Sequence, residues 1–294
     1  MDNEKIAQLI AKIDAMPTLP TLVGRVLTIT SDPNSSADDL LQAIEPDQSM
    51  TVKILKVANS AFYSRVRKVA DLKQALMVLG FQEVRNLVLA SAVFNNFQKI
   101  RKVKEFDARA FWRHSFITGL AAKGMAGPLK LAAGEMFIAG LIHDIGKLAL
   151  LTALPLEFVR TMKMSGNYGL EGLIAEKHVL GLSHTDVGMR VLKRWMFPNH
   201  LVVATGFHHQ PATDDSLRVY PLVVQLSDFL AHIVAMSPDL DEQIIFPEGC
   251  FSAETASLAK NYGIDWHLEA VKARGKELKQ IMDLQAGVLD AFLN

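Results

Sequence analysis

The chain has 294 residues, 50% of them hydrophobic, with 31 Lys and Arg against 31 Asp and Glu, 9 His and 1 Cys. A chain of this length buries roughly three quarters of its extended surface, enough for one large core or two. Zero net charge supplies no field to steer it toward nucleic acid or an anionic membrane, and a lone Cys excludes an internal disulfide framework.

The start Met1-Asp2-Asn3-Glu4-Lys5 has no basic stretch followed by an apolar one, so a cytoplasmic location is expected. Apolar residues then recur at three- and four-residue intervals, as in Ile6, Leu9, Ile10 and Ile13 and again in Leu40, Leu41 and Ile44. This spacing predicts helices and gives strands little support. Asp32-Pro33-Asn34-Ser35 reads as a turn, and Ser36 with Asp39 three residues on reads as a helix start. Asn59 and Gly80 read as helix stops. Asn59 and Ser60 need no role beyond capping, because no His precedes residue 114 to serve as a nearby base. The run Leu87-Val88-Leu89-Ala90-Ser91-Ala92-Val93-Phe94 falls far short of the ~20 residues that cross a bilayer and reads as buried helix.

All the His residues lie between 114 and 267. A second turn-rich stretch surrounds Asn167-Tyr168-Gly169, and Pro198 and Pro211 bracket the helix that carries His208-His209. After about residue 240, Pro238, Pro247 and Gly249 interrupt the pattern. A last amphipathic stretch with Val271, Leu278, Ile281, Met282, Leu289 and Phe292 either packs back or pairs with a partner. No internal repeat is evident. The organisation expected is an N-terminal helical part over 1–100, a His-bearing core over 101–240 and a C-terminal helical extension over 241–294.

The sharpest feature is His143-Asp144 within Gly140-Leu141-Ile142-His143-Asp144-Ile145-Gly146-Lys147. An ionised carboxylate taken out of water costs several kcal/mol unless a cation or hydrogen-bond donors compensate it. One divalent cation would compensate both groups, and nitrogen and oxygen donors suit zinc, iron, manganese or nickel. His114, His184, His208, His209 and Asp228 each stand beside apolar residues and are the other candidate ligands. Lys147 lies four residues after His143 and three after Asp144, which on a helix sets its ammonium over the same face, as an ion-pair partner or as a contact for a bound anion.

The order His, His-Asp, His, His-His, Asp resembles the HD superfamily of metal-dependent phosphohydrolases, and Leu182-Ser183-His184 through Phe207-His208-His209 resembles its HD-GYP branch. Met16-Pro17-Thr18-Leu19-Pro20, Ala58-Asn59-Ser60-Ala61-Phe62-Tyr63 and Ala75-Leu76-Met77-Val78-Leu79-Gly80 are similar to the N-terminal signatures of HDOD proteins, the HD-related output domains. Together these motifs cover roughly residues 10 to 235. The resemblance implies an all-α fold, with a multi-helical HD-domain-like core and an additional N-terminal helical layer.

It also implies a centre of one or two divalent metal ions (Fe, Mn, Zn or Ni). His114, His143, Asp144 and Asp228 would hold one ion, and Asp144 would bridge to a second on His184, His208 and His209. Asp144 and Lys147 are then the candidate catalytic residues, with Lys147 stabilising charge on a phosphoryl group. His178, His200, His232 and His267 match no motif position and are read as surface or structural residues. The pattern departs from HD-GYP proteins after the His doublet, where Gln210-Pro211-Ala212-Thr213-Asp214-Asp215 replaces Gly-Tyr-Pro. Ala110 stands where some three-metal relatives carry Glu, so at most two metals are expected.

Two functions stand from this reading. One is an HDOD signal-transduction module with an HD-like metal site, a small phosphorylated ligand and a signalling protein bound through the N-terminal layer, with neither nucleic acid nor membrane as partner. The other is an active phosphohydrolase, a phosphodiesterase acting on a nucleotide or cyclic dinucleotide.

Overall fold

A computed structural model describes residues 3–18, 21–32, 34–60, 68–97, 104–165, 170–211, 217–237, 239–241 and 244–293. Leu19-Pro20, Pro33, Ala61-Phe62-Tyr63, Asn167-Tyr168-Gly169, Pro238 and the stretch after Pro211 read as the departure from HD-GYP lie outside the described residues, as do the side chains of Leu289 and Phe292. Among the described residues the regular structure is helical and contains no strand, in keeping with the all-α fold predicted.

The chain forms two compact units, one of residues 1–17 and 99–279, the other of 18–98 and 280–294. The first helix and residues 241–279 thus group with the His-bearing core.

The first unit opens with α1 (Asn3–Asp14). The second carries α2 (Thr21–Ser31), α3 (Ala37–Ile44), α4 (Gln48–Ala58), α5 (Leu72–Leu79) and α6 (Phe81–Asn96). Ser36 and Asp39 form the expected capping box at the start of α3. Asn59 caps α4, and its side chain also grips the backbone of Val69 from both sides, at 2.8 Å each. Gly80, at φ +84°, turns the chain from α5 into α6, a conformation open to glycine. From Val84 to Phe94, α6 is buried, against α2, α4 and α5.

The chain continues in the first unit with α7 (Ala108–Ala126), α8 (Ala133–Ile142), α9 (Ile145–Ala153), α10 (Pro155–Ser165), α11 (Leu170–Leu180), α12 (His184–Arg194), α13 (Asn199–Phe207), α14 (Val219–Met236) and α15 (Ala253–Asn261); α16 (Leu268–Leu293) begins there. Gly119 and Gly140 let α7 and α8 meet backbone to backbone, since a Cβ on Gly140 would fall 2.7 Å from the Thr118 carbonyl oxygen. Helix α9 meets α12 still more tightly, because a Cβ on Gly146 would fall 1.8 Å from the carbonyl oxygen of His184. Helix α1 is held by Arg190, which grips Asp14 with two bonds at 2.7 and 2.5 Å, while Arg194 and Trp195 donate to the carbonyls of Met16 and Pro17. Val271 and Leu278 on α16 are buried, and Trp266 donates to the Cys250 carbonyl.

Two helical stretches, Ala133–Ala153 and Val219–Met236, are long and apolar enough to cross a membrane, contrary to the expectation from unbroken apolar runs. Both carry buried acids, and 83% of the first is buried inside the protein and interrupted at Asp144. Of the second stretch, 56% is buried.

Candidate metal centre

The helix expected to carry His143-Asp144 is broken there: His143 ends α8 and Asp144 is the first cap of α9. Similarly, His208 terminates α13, so the doublet lies at a helix end. These breaks turn side chains inward from several elements at once.

Each buried imidazole is oriented through its other nitrogen. Nδ1 of His143 lies 2.7 Å from the Gly140 carbonyl, and Nδ1 of His208 lies 2.9 Å from that of Thr205. A carbonyl only accepts, so both Nδ1 atoms carry a proton, and in the neutral rings both Nε2 atoms present lone pairs. His184 donates both its backbone N–H and Nδ1–H to one carboxylate oxygen of Glu176, at 2.6 and 2.7 Å, which leaves its Nε2 in the same state.

The Nε2 atoms converge on two carboxylates. Asp144 Oδ1 lies 3.3 Å from His184 Nε2 and 3.7 Å from His208 Nε2, while its Oδ2 lies 3.3 Å from His143 Nε2 and 2.6 Å from Lys147 Nζ. Asp228 Oδ1 lies 2.9 Å from His114 Nε2 and 3.8 Å from His143 Nε2. His209 Nε2 sits 3.2 Å from His184 Nε2. Three groups of potential ligand atoms, each within 4.8 Å of one another, result: His184, His208 and His209; His114, His143 and Asp144; and His114, Asp228 and His232. Two donors on one first-row cation lie at most about 4.2 Å apart, so small side-chain adjustments suffice.

The cluster fits a cation on grounds independent of family. His143 Nε2, His208 Nε2, Asp144 Oδ1 and Asp228 Oδ1 are fully buried and complete no hydrogen bond among the described residues. Such groups ordinarily find partners, and leaving one unpaired costs about 1–3 kcal/mol, more if charged. Two nitrogen lone pairs and two carboxylate oxygens turned together lack a donor, and a cation supplies what they lack.

Electrostatics match. Burial pushes the Asp144 carboxyl up, but His143 and Lys147 outweigh it and hold the group well below the usual carboxylate range. Burial opposes the ionised form of Asp228 as well, and His232 and His114 overcome it. Burial drives His208 well below the ordinary imidazole range and His209 down to about 3. His114 is lowered by burial too, whereas in His143 burial is outweighed by Asp144 and Asp228 together and the ring is raised.

All seven residues predicted as ligands, and Lys147, are brought together in this unit. Two neighbours went unread in the sequence. Glu176 is buried, and its signal was its place on the apolar stripe of Leu173, Glu176 and Leu180. His232, taken as a surface or structural residue, reaches Asp228 Oδ1 at 3.3 Å; its signal was the four-residue spacing from Asp228. His178 and His267 are exposed, and His200 pairs with Glu135 at 3.1 Å.

Two cavities flank the cluster. One of about 200 Å3 is lined by His114, Asp144, Lys147, Glu176 and His184 together with Ala110, Phe106 and Phe111. The other, about 460 Å3, is lined by His209, Asp228 and His232 with Gln225, Phe229, Phe246 and Glu254.

A helical unit with a His-Asp pair at the break between two helices, ringed by further imidazoles, defines a protein of the HD type. The HDOD domain model matches residues 16–211, and the chain belongs to the HDOD family. The fold is similar to that of a candidate phosphohydrolase from Shewanella amazonensis, with a TM-score of 0.77 and 22% identity over 97% of this chain and 98% of that one. It is similar also to a candidate signal transduction protein from Marinobacter aquaeolei, with a TM-score of 0.78 and 20% identity over 99% of this chain and 66% of that one. An uncharacterised protein of Treponema pallidum is 22% identical over 209 residues, 70% of this chain; the match spans 40% of that curated relative's length.

Proposed function

We propose that the protein is a cytoplasmic HDOD signal-transduction module whose helical core carries a divalent-metal centre. His114, His143, Asp144 and Asp228 hold one ion, and Asp144 with His184, His208 and His209 hold another; the shell accepts Fe, Mn, Zn or Ni. The observation that carries this reading is the convergence of four buried, unpartnered donor atoms from α8, α9, α13 and α14. Such ions, when bound, supply water activation and polarisation of a phosphoryl oxygen. The chain's own groups hold the geometry: the Gly140 and Thr205 carbonyls and the Glu176 carboxylate fix the imidazoles, and Lys147 presents its ammonium in the smaller cavity, where a phosphorylated ligand would meet it. A signalling protein binds the N-terminal layer, where Met77 and Val78 on α5 are exposed.

Elemental analysis of the protein as isolated tests this reading. First-row metal near one or two ions per chain, lost in His143→Ala and Asp144→Ala, is expected. Metal-free protein that takes up none on titration ends it.

The phosphohydrolase reading is favoured by one observation, that Lys147 and the cluster line the same cavity. Manganese- or iron-loaded protein offered generic phosphodiesters and cyclic dinucleotides decides it: turnover abolished in His143→Ala supports an enzyme. Metal without turnover, with a partner captured through residues 1–100, supports the module alone.

A further inference from the structure

We infer that His232 is a further ligand of the ion held by His114 and Asp228; this rests on the metal-centre reading and adds a residue that no motif assigns. His232 follows Asp228 by four residues on α14, so both side chains leave the same face of the helix. Its Nε2 lies 3.3 Å from Asp228 Oδ1, and its ring centroid lies 4.5 Å from that of His114 with the planes tilted by 35°. The donor atoms of His114, Asp228 and His232 all fall within 4.8 Å of one another.

The decisive detail is at the carboxylate. Three imidazole Nε2 atoms surround Asp228 Oδ1, at 2.9, 3.3 and 3.8 Å, yet this buried oxygen completes no hydrogen bond. Imidazoles from α7 and α14 and the one at the end of α8 thus converge on a carboxylate oxygen that remains unsatisfied, the arrangement of several donors sharing one ion.

His232 with His114 and Asp228 would supply the ion with two imidazoles and one carboxylate, and it lines the larger cavity, whereas Lys147 lines the smaller one.

The test uses the full chain with Mn(II) and Co(II) as probes, comparing wild type, His143→Ala, His232→Ala and His232→Gln by titration calorimetry and elemental analysis. Circular dichroism checks that each variant folds. Removing an orienting neighbour typically weakens metal binding 10–100-fold. Loss of a ligand is expected to exceed about 100-fold for one ion in both His232 variants, with the other ion retained and the visible absorption of bound Co(II) altered. Wild-type affinity in His232→Gln alone, which keeps a donor, makes His232 an orienting group and overturns the inference. Wild-type affinity in both overturns it as well. If wild type itself binds no ion, the metal-centre reading fails and takes this inference with it; loss confined to His143→Ala sinks the inference alone.

Discussion

In the unit of residues 18–98 and 280–294, the buried polar side chains among the described residues are Arg85, Asn86 and Ser91 on α6 and Gln285 on α16, and no His accompanies them. In the unit of residues 99–279, buried His143, Asp144, Glu176, His184, His208 and Asp228 arrive from separate helices and turn toward one another. Burial is equally deep in the two cases. A polar group on a single buried helix is an isolated cost, as at Ser91 Oγ, which completes no hydrogen bond among the described residues. Groups brought in from many elements share their deficits, and one ion relieves several of them together.

Substitutions in the two units sharpen this contrast. The largest effect is expected from His143→Ala or Asp144→Ala, which should empty the centre of metal while circular dichroism still reports a helical fold. Retained stoichiometry in elemental analysis would falsify the shared-ion account.

Next comes Gly146→Ala, whose Cβ would collide with the His184 carbonyl oxygen at 1.8 Å. A cost of about 3 kcal/mol, at the upper end of ordinary overpacking, is expected in urea unfolding. Gly124→Ala is the matched control, a helical glycine with open space around its Cβ position; it should stabilise by about 0.4–1 kcal/mol. Equal midpoints for these two variants would remove close backbone contact as the reason for Gly146.

Glu176→Gln is smaller in scope. It keeps an acceptor for His184 but removes the charge, so metal affinity should fall about 10–100-fold with stability little changed. An unaltered Kd would mean that His184 is oriented by its backbone alone.

Acid should weaken the metal-free protein. Above about pH 6.5, the value for an exposed imidazole, His208 and His209 are neutral in both folded and unfolded chains and contribute nothing. Below it the unfolded chain takes up protons that burial denies to His208, His209 and His114 when folded, so stability falls as the pH drops from about 6.5 toward about 3, where His209 titrates. His143, raised by Asp144, works the other way: its contribution is present below pH 6.5 and lost as pH rises through its folded value. With three groups lowered and one raised, Tm should decline from pH 6.5 to 4.5, and a flat profile would contradict the burial described. The smallest effect belongs to the other unit, where Ser91→Ala removes a buried hydroxyl that completes no hydrogen bond and should shift stability by no more than about 0.5 kcal/mol.

Much of the site was legible because its residues are chemically costly to bury: His143-Asp144 and His208-His209 stand out among Ile, Leu and Phe. The capping box at Ser36 and Asp39 was legible because it is local. Glu176 and His232 were not, since one acid on a helix and one His four residues after an Asp are ordinary until other helices are placed against them. The break at Asp144 was also hidden, because the apolar pattern runs through it and nothing local in the sequence marks where α8 stops and α9 starts.

The contact of Gly146 with the His184 carbonyl has a mechanical consequence. It locks the first turns of α9 and α12 into one stiff block, so Asp144 and His184 keep their spacing whatever happens around them. Glu176 extends the block to α11 through its two bonds to His184, so three of the helices that line the smaller cavity are tied together.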